Sequence, residues 1–267
     1  MKNTKNEQTV TKPYMTGAPT DEYTIRNALK FFGMILLCML MTFIVCSMTG
    51  FNSAILRIAV NLVIEALILT LLYAKGAKLG EENTARGEIL YQHDKKGEEI
   101  AASERRIPYH PLKGFLIGLI GSSLILVIAV ILALTAERQM TGIGAMPSWT
   151  DAFMRRSEIR DAVAYYSESA SATVTDFLRI IVRILIMPFV SIAGSENRDL
   201  MLTFERISPL LVLLPGIAYG TGYLQGPRMR SRVHTEIATN KRKRIAREKR
   251  EMKARKARIP QGPQQLN

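Results

Sequence analysis

Cysteine is almost absent from this chain of 267 residues, and the two that occur, Cys38 and Cys46, lie eight positions apart inside one apolar run. On a single helix they cannot reach each other, so no disulfide or thiolate metal framework follows. Histidine is nearly as scarce. His93, His110 and His234 fall in three separate polar stretches, and none has metal-ligand spacing to another His, Cys or carboxylate pair. G-x-S-x-G, H-E-x-x-H and Walker sequences are missing, and Gly142 and Gly144 in TGIGAMP read as a flexible turn. The expectation is therefore a non-enzymatic protein with no cofactor and no metal. Beyond residue 228 there is no Phe, Tyr or Trp, which removes the stacking platforms needed to read nucleic-acid bases.

A cleavable leader is not expected either, because about 30 polar residues precede the first apolar run and no A-x-A-like site follows it. Phe43, Ile44 and Val45 make a poor lipoprotein cleavage site before Cys46. The first apolar helix is expected to stay as a signal anchor.

What the chain does have is long uncharged runs. Phe31 to Leu56 is 26 residues without a charge, Gly114 to Ala136 is 23, and Ile207 to Pro227 is 21. Each reaches the ~20 residues needed to cross a ~30 Å hydrocarbon core. Gly and Pro inside them are tolerated in a membrane helix far better than in a soluble one. A further span is read over Leu56 to Ala74, apolar after Arg57 except for Asn61, Glu65 and Thr70. Phe177 to Gly194 is a weaker candidate, since Arg179 and Arg183 leave only 12 uncharged residues from Ile184 to Ser195, with Pro188 among them. A stretch that short reads as interfacial or re-entrant.

The fold class expected is an all-α, polytopic membrane protein with four transmembrane helices, an external amphipathic or re-entrant helix over 177–194, and a long basic C-terminal helix. The positive-inside rule places the basic segments on one side. Four spans put the N-terminal segment (1–30), the loop 75–113 with its 8 Lys/Arg and the tail (228–267) together in the cytoplasm. Between them lie a transmembrane hairpin (31–74), a third span (114–136), an extracytoplasmic region (137–206) and a fourth span (207–227). Five spans would send the N-terminus and the loop outside, against the rule. The protein is thus expected in the cell membrane, multi-pass, with both termini cytoplasmic. The loop 75–113 reads as a polar connector in which Glu81, Glu82, Arg86 and Glu88 support at most a short surface helix. Outside, Trp149, Phe153, Tyr165 and Tyr166 are candidate headgroup anchors.

Three sets of residues stand out as candidate sites. Arg57, Asn61 and Glu65 recur every fourth position along one helix face. Glu65 falls near mid-membrane, where an ionised carboxylate costs ~2.5 to 3.5 kcal/mol and needs a partner, a proton or water. Protonated, or paired with Arg179 or Arg183, it would be structural; with a chain of further polar sites it would suit an ion- or proton-coupled transporter or channel component. Gly114, Gly118 and Ser122, spaced by four, form a close-approach helix face, either within the bundle or toward a homo-oligomer or membrane-complex partner. Pro215 predicts a kink in the last span.

The third set is the tail. Arg228 to Arg258 holds 14 Lys/Arg and 3 Glu, while the rest of the chain is nearly balanced at 22 basic to 20 acidic residues. No Gly or Pro interrupts it, and Arg244–Glu248, Arg247–Glu251 and Glu251–Arg255 are helix-favouring i,i+4 pairs. A helix of ~45 Å results at 1.5 Å per residue. Lys241, Arg242, Lys243, Arg244, Arg247, Lys249, Arg250, Lys253, Arg255, Lys256 and Arg258 are its candidate phosphate contacts. Anionic lipid headgroups, the RNA backbone of a ribosome, or no partner beyond a topogenic role are the alternatives. In composition this tail resembles the basic ribosome-contacting tails of the YidC-type membrane insertases; the resemblance covers about 30 residues of the tail alone. An accessory or interaction role is the leading expectation.

Overall fold

The computed structural model describes residues 10–48, 53–137, 174–194 and 197–258, and its regular structure there is helical throughout. In chain order the helices are α1 (Glu22–Met48), α2 (Ala54–Lys95), α3 (Lys113–Thr135), α4 (Val174–Leu185), α5 (Met187–Ala193), α6 (Arg198–Tyr223) and α7 (Gly226–Arg258), with a 3-10 turn at Glu104–Arg106. Among the described residues, four helical stretches are long and apolar enough to cross a membrane, beginning at Glu22, Ala54, Lys113 and Arg198. This makes a multi-pass membrane protein. The aromatic residues 149, 153, 165 and 166 and the turn at Gly142 and Gly144 lie outside the described residues.

Close approaches fix the directions. The sites a Cβ would occupy on Gly76 and Gly80 lie 2.1 Å from the carbonyl oxygen of Tyr219 and 2.3 Å from that of Tyr223, so α2 and α6 run parallel. Gly118 meets Gly216 while Gly114 meets Tyr223, which makes α3 antiparallel to α6. At the far end of the bundle the Cys46 thiol donates to Oδ1 of Asn61 (3.2 Å), pairing the end of α1 with the start of α2. Phe31, Ile35, Leu72, Ile117, Ile125, Leu132, Val182 and Val212 fill the centre. Leu37, Leu67, Leu124 and Leu134 point outward and are exposed, as the lipid-facing side of a span requires.

The polar connector expected over 75–113 is instead largely helix. α2 continues to Lys95, 42 residues in all, about 63 Å at the α-helical rise. Its second half buries little apolar surface. The face it buries is made of Gly76, Ala77, Gly80, Asn83, Thr84, Gly87 and Glu88, which let backbone pack on backbone. Sites for a Cβ on Gly222 and Gly226 would lie 2.1 Å from the carbonyl oxygen of Tyr73 and 2.3 Å from the carbonyl carbon of Gly80, so the contact is glycine-lined from both sides.

Two boundaries shift for local reasons. α1 starts at Glu22, nine residues before its uncharged run, because Asp21 caps it: Oδ1 accepts from the Thr24 amide (2.7 Å) and the Thr24 hydroxyl accepts from the Asp21 amide (3.1 Å). α6 starts at Arg198, capped by Asn197, and remains one helix through Pro209 and Pro215. Pro209 cannot donate to the carbonyl of Glu205; the Ser208 hydroxyl does so instead, at 2.8 Å.

Candidate functional site

The stretch expected as one helix over 177–194 is two. α4 ends at Leu185, the backbone breaks at Ile186 (φ −106°, ψ 30°), and α5 begins with Pro188 in its first turn. α4 starts beside residue 137, whose carbonyl accepts from Nη2 of Arg179 at 2.8 Å. α5 is followed by Gly194, with the Arg57 guanidinium 2.8 Å from the site its Cβ would take. Both ends of this broken hairpin therefore sit at the end of the bundle away from the tail, and its tip, Ile186 to Phe189, reaches the level of Leu72 and Val212.

Arg179 and Arg183 do not pair with Glu65. Both converge on Glu205, in the second turn of α6. Nε of Arg179 lies 3.1 and 3.0 Å from the two carboxylate oxygens, and Nε and Nη2 of Arg183 lie 2.8 and 2.6 Å from Oε1. Glu205 is 1% exposed. Arg179 also reaches Asp176 at 3.1 Å, so the cluster holds two guanidinium groups against two carboxylates. Planar guanidinium forks suit such shared, desolvated geometry. Glu205 escaped the sequence reading because it stands two residues before an uncharged run and so counts as loop charge. The signal that was available is the i,i+4 spacing of Arg179 and Arg183, which aims both at one partner.

Arg57, Asn61 and Glu65 share one face of α2 and meet different surroundings. Arg57 lies against the C-terminal end of α5, its Nε buried without a partner among the described residues. Asn61 is fully buried, donating to the carbonyl of Arg57 at 2.8 Å and accepting from Cys46. Glu65 borders a cavity of about 30 Å³, enclosed by Cys38, Met39 and Thr42 of α1, the hairpin tip, and Leu211 and Pro215 of α6. That volume holds roughly one water. No hydrogen bond or ion pair reaches the Glu65 carboxylate among the described residues. Pro215 adds a polar group to the same wall, because it cannot donate to the Leu211 carbonyl four residues earlier.

The glycine face of α3 turns inward. Gly118 packs on Gly216, Gly114 on the ring of Tyr223, and Ser122 is fully buried with its hydroxyl unpartnered among the described residues.

The tail end holds a second cluster that sequence reasoning did not find. α7 packs along the second half of α2, and Glu88 of α2, 5% exposed, accepts from Nε of Arg230 at 3.0 Å and pairs with Nε2 of His234 at 2.7 Å. The N-terminal segment ties in as well: the Val10 amide donates to the Thr235 hydroxyl (3.1 Å) and the Met15 amide to the Gly87 carbonyl (3.0 Å). Lys113 is 2% exposed, with Nζ donating to the carbonyls of Arg106, Ile107 and Pro108 (2.9 to 3.1 Å) and to Oδ2 of Asp21 (3.2 Å). Tyr109 stacks on Tyr223 at 5.3 Å and meets Tyr14 edge-on. Burial, with Tyr14 beside it, pushes the Tyr109 phenol above its ordinary pKa.

α7 divides at Thr239. Up to that residue it is docked; from Asn240 to Ala254 every side chain is exposed, including Lys241, Arg242, Lys243, Arg244, Arg247, Lys249, Arg250 and Lys253. Arg244 and Glu248 form the i,i+4 pair at 2.9 Å. Arg255, Lys256 and Arg258 complete the same helix. No protein-family model, no curated protein and no solved structure matches the chain.

Proposed function

We propose that this protein is a non-enzymatic membrane anchor for a rigid polybasic arm, and that the arm grips the phosphate backbone of RNA at the cytoplasmic face, with a ribosome the natural target. The observation that carries this reading is the docking of the first half of α7 on α2. Glu88 holds Arg230 and His234, so α7 leaves the bundle along α2 and away from the apolar spans.

Distance then favours RNA over the protein's own bilayer. Asn240 lies 14 residues beyond Gly226, about 21 Å along a helix, whereas the field of charged lipid falls off over ~8 Å at physiological ionic strength. The free half also lacks a face for lying on lipid, since Ile245 and Met252 are its only large apolar residues up to Ala254. Eleven Lys/Arg between Asn240 and Arg258 make it positive all round. With no aromatic residue there, contact is to phosphate and not to bases. The orientation follows from the positive-inside rule: both termini and the Gly97 turn are cytoplasmic, and the α4–α5 hairpin re-enters from outside.

The test is co-sedimentation of the full-length protein, in nanodiscs of zwitterionic lipid, with purified ribosomes across a salt series. Binding is expected to fall steeply with salt, by about 0.7 to 0.9 log units per log unit for each phosphate neutralised. Replacing Lys241, Arg242, Lys243 and Arg244 by Gln should flatten that slope. Binding that ignores both salt and these substitutions overturns the proposal, as does exclusive binding to anionic vesicles.

A second reading rests on the cavity beside Glu65. A lone carboxylate at the tip of a broken hairpin, near a proline-freed carbonyl, suits a protonatable or cation-binding step in an ion- or proton-coupled transporter or channel component. Proton or monovalent-cation flux into proteoliposomes, lost in Glu65→Gln while folding is retained, would establish it; unchanged flux would dismiss it.

A further inference from the structure

Among the described residues, the gap between α1 and α2 is filled over only half its length. Toward the far end, the α4–α5 hairpin occupies it, and α1 and α2 touch through Cys46 and Asn61. Toward the tail end no element among the described residues covers it. There the two helices border an open groove of about 310 Å³, floored by Phe31 and Tyr219.

Both walls are built alike. α1 presents Asn27, Lys30, Phe31 and Met34, and α2 presents Lys75, Lys78, Leu79 and Glu82, each set spaced i, i+3, i+4, i+7 along one helical face. Three ammonium groups and one carboxylate leave the groove at a formal +2. Lys30 is the last charge before the uncharged run of α1, and Lys75 is the first after Glu65 on α2. The lysines therefore lie where hydrocarbon gives way to headgroups. Phe31, Met34 and Leu79 give the same groove an apolar side that a soluble anion would not use.

We infer that this groove binds an anionic phospholipid, its phosphate held by Lys30, Lys75 and Lys78 and an acyl chain lying in the uncovered half of the α1–α2 gap. Basic pockets between spans on the cytoplasmic side suit such headgroups. The acyl chain supplies the packing that the hairpin supplies in the other half. This site is separate from the exposed arm of α7 and does not depend on what that arm binds.

The experiment is a thermal-shift and native mass-spectrometry titration of delipidated full-length protein in neutral detergent. The probes are phosphatidylglycerol, phosphatidylcholine and glycerol 3-phosphate. Phosphatidylglycerol is expected to raise the melting temperature and to remain bound in the gas phase, with phosphatidylcholine and glycerol 3-phosphate doing neither. The triple variant Lys30→Gln, Lys75→Gln, Lys78→Gln should bind about 150-fold more weakly, the product of three interfacial charges each worth about fivefold. Neutralising Lys241 to Arg244 should leave binding unchanged. Glu82→Gln, an exposed change that removes the one carboxylate among the groove's described lining residues, should tighten it about fivefold and keeps the test valid should the triple variant fold poorly. Equal binding of the two lipids, an equal response to glycerol 3-phosphate, loss of binding through the tail variant, or an unaltered affinity in Glu82→Gln and in a folded triple variant would each overturn the inference.

Discussion

His234 and Glu88 lie 146 positions apart and share a 2.7 Å hydrogen bond in which both side chains are 7% exposed. That contact, with Arg230 on the other carboxylate oxygen, converts a charged tail into a directed arm. Replacing Glu88 by Ala removes two charge-assisted hydrogen bonds, each ~1.5 to 3 kcal/mol in a buried setting. The arm should then detach without unfolding the spans. Hydrogen exchange across residues 226–239 is expected to accelerate by at least tenfold while α3 stays protected, and trypsin should cut at Arg230 or Arg232. Unchanged exchange there would remove the basis for a rigid arm.

The glycine contacts give a sharper comparison. A Cβ on Gly80 would lie 2.3 Å from the carbonyl oxygen of Tyr223, whereas one on Gly33 meets nothing within 4 Å. Gly80→Val must push α2 from α6 and α7, at a cost of ~1 to 3 kcal/mol or more. Gly33→Ala should be neutral or stabilising by up to ~1 kcal/mol. Melting temperatures of the two variants in detergent decide between this packing and a loose α2 extension.

These same glycines explain what the sequence could and could not disclose. The four spans were legible because membrane crossing needs only length and apolarity, both local properties. The continuation of α2 to Lys95 was not, because its buried face is Gly76, Gly80, Asn83, Thr84 and Gly87 and so carries no hydrophobic period. GAKLG and GYLQG do show small residues four apart, the pattern already noted on α3, but they sit at the edge of or beyond the apolar runs. Among the candidate sites, the Arg57–Asn61–Glu65 stripe could be placed on one face from spacing alone. The partner of Arg179 and Arg183 could not, since ion pairing across 22 to 26 positions depends on how α4 packs against α6.

That ion cluster makes its own prediction. Glu205 neutralises two arginines in a setting where an unpaired charge is costly, so Glu205→Gln should lower stability by ~3 to 5 kcal/mol. Arg179→Lys should also be harmful, because a single ammonium cannot reproduce the fork that reaches Glu205, Asp176 and the carbonyl of residue 137. Detergent melting curves measure both. A Glu205→Gln protein as stable as the parent would show that the cluster contributes nothing to holding the hairpin.

Topology is the premise on which the arm depends, and Gly97 offers a clean way to test it. This residue has φ +76°, follows α2, and has nothing within 4 Å of the site a Cβ would take, so a short tag inserted there should not disturb packing. On the proposed topology, a tag at Gly97 and a tag after Asn267 should be reached by impermeant reagent only in permeabilised cells. The α2–α7 pairing ties the two results together, because Gly80 meets Gly226 and Glu88 meets His234 on one side of the bundle. A tag at Gly97 that is labelled in intact cells would place the basic arm outside, where cytoplasmic RNA cannot meet it, and the proposed function would fall with the topology.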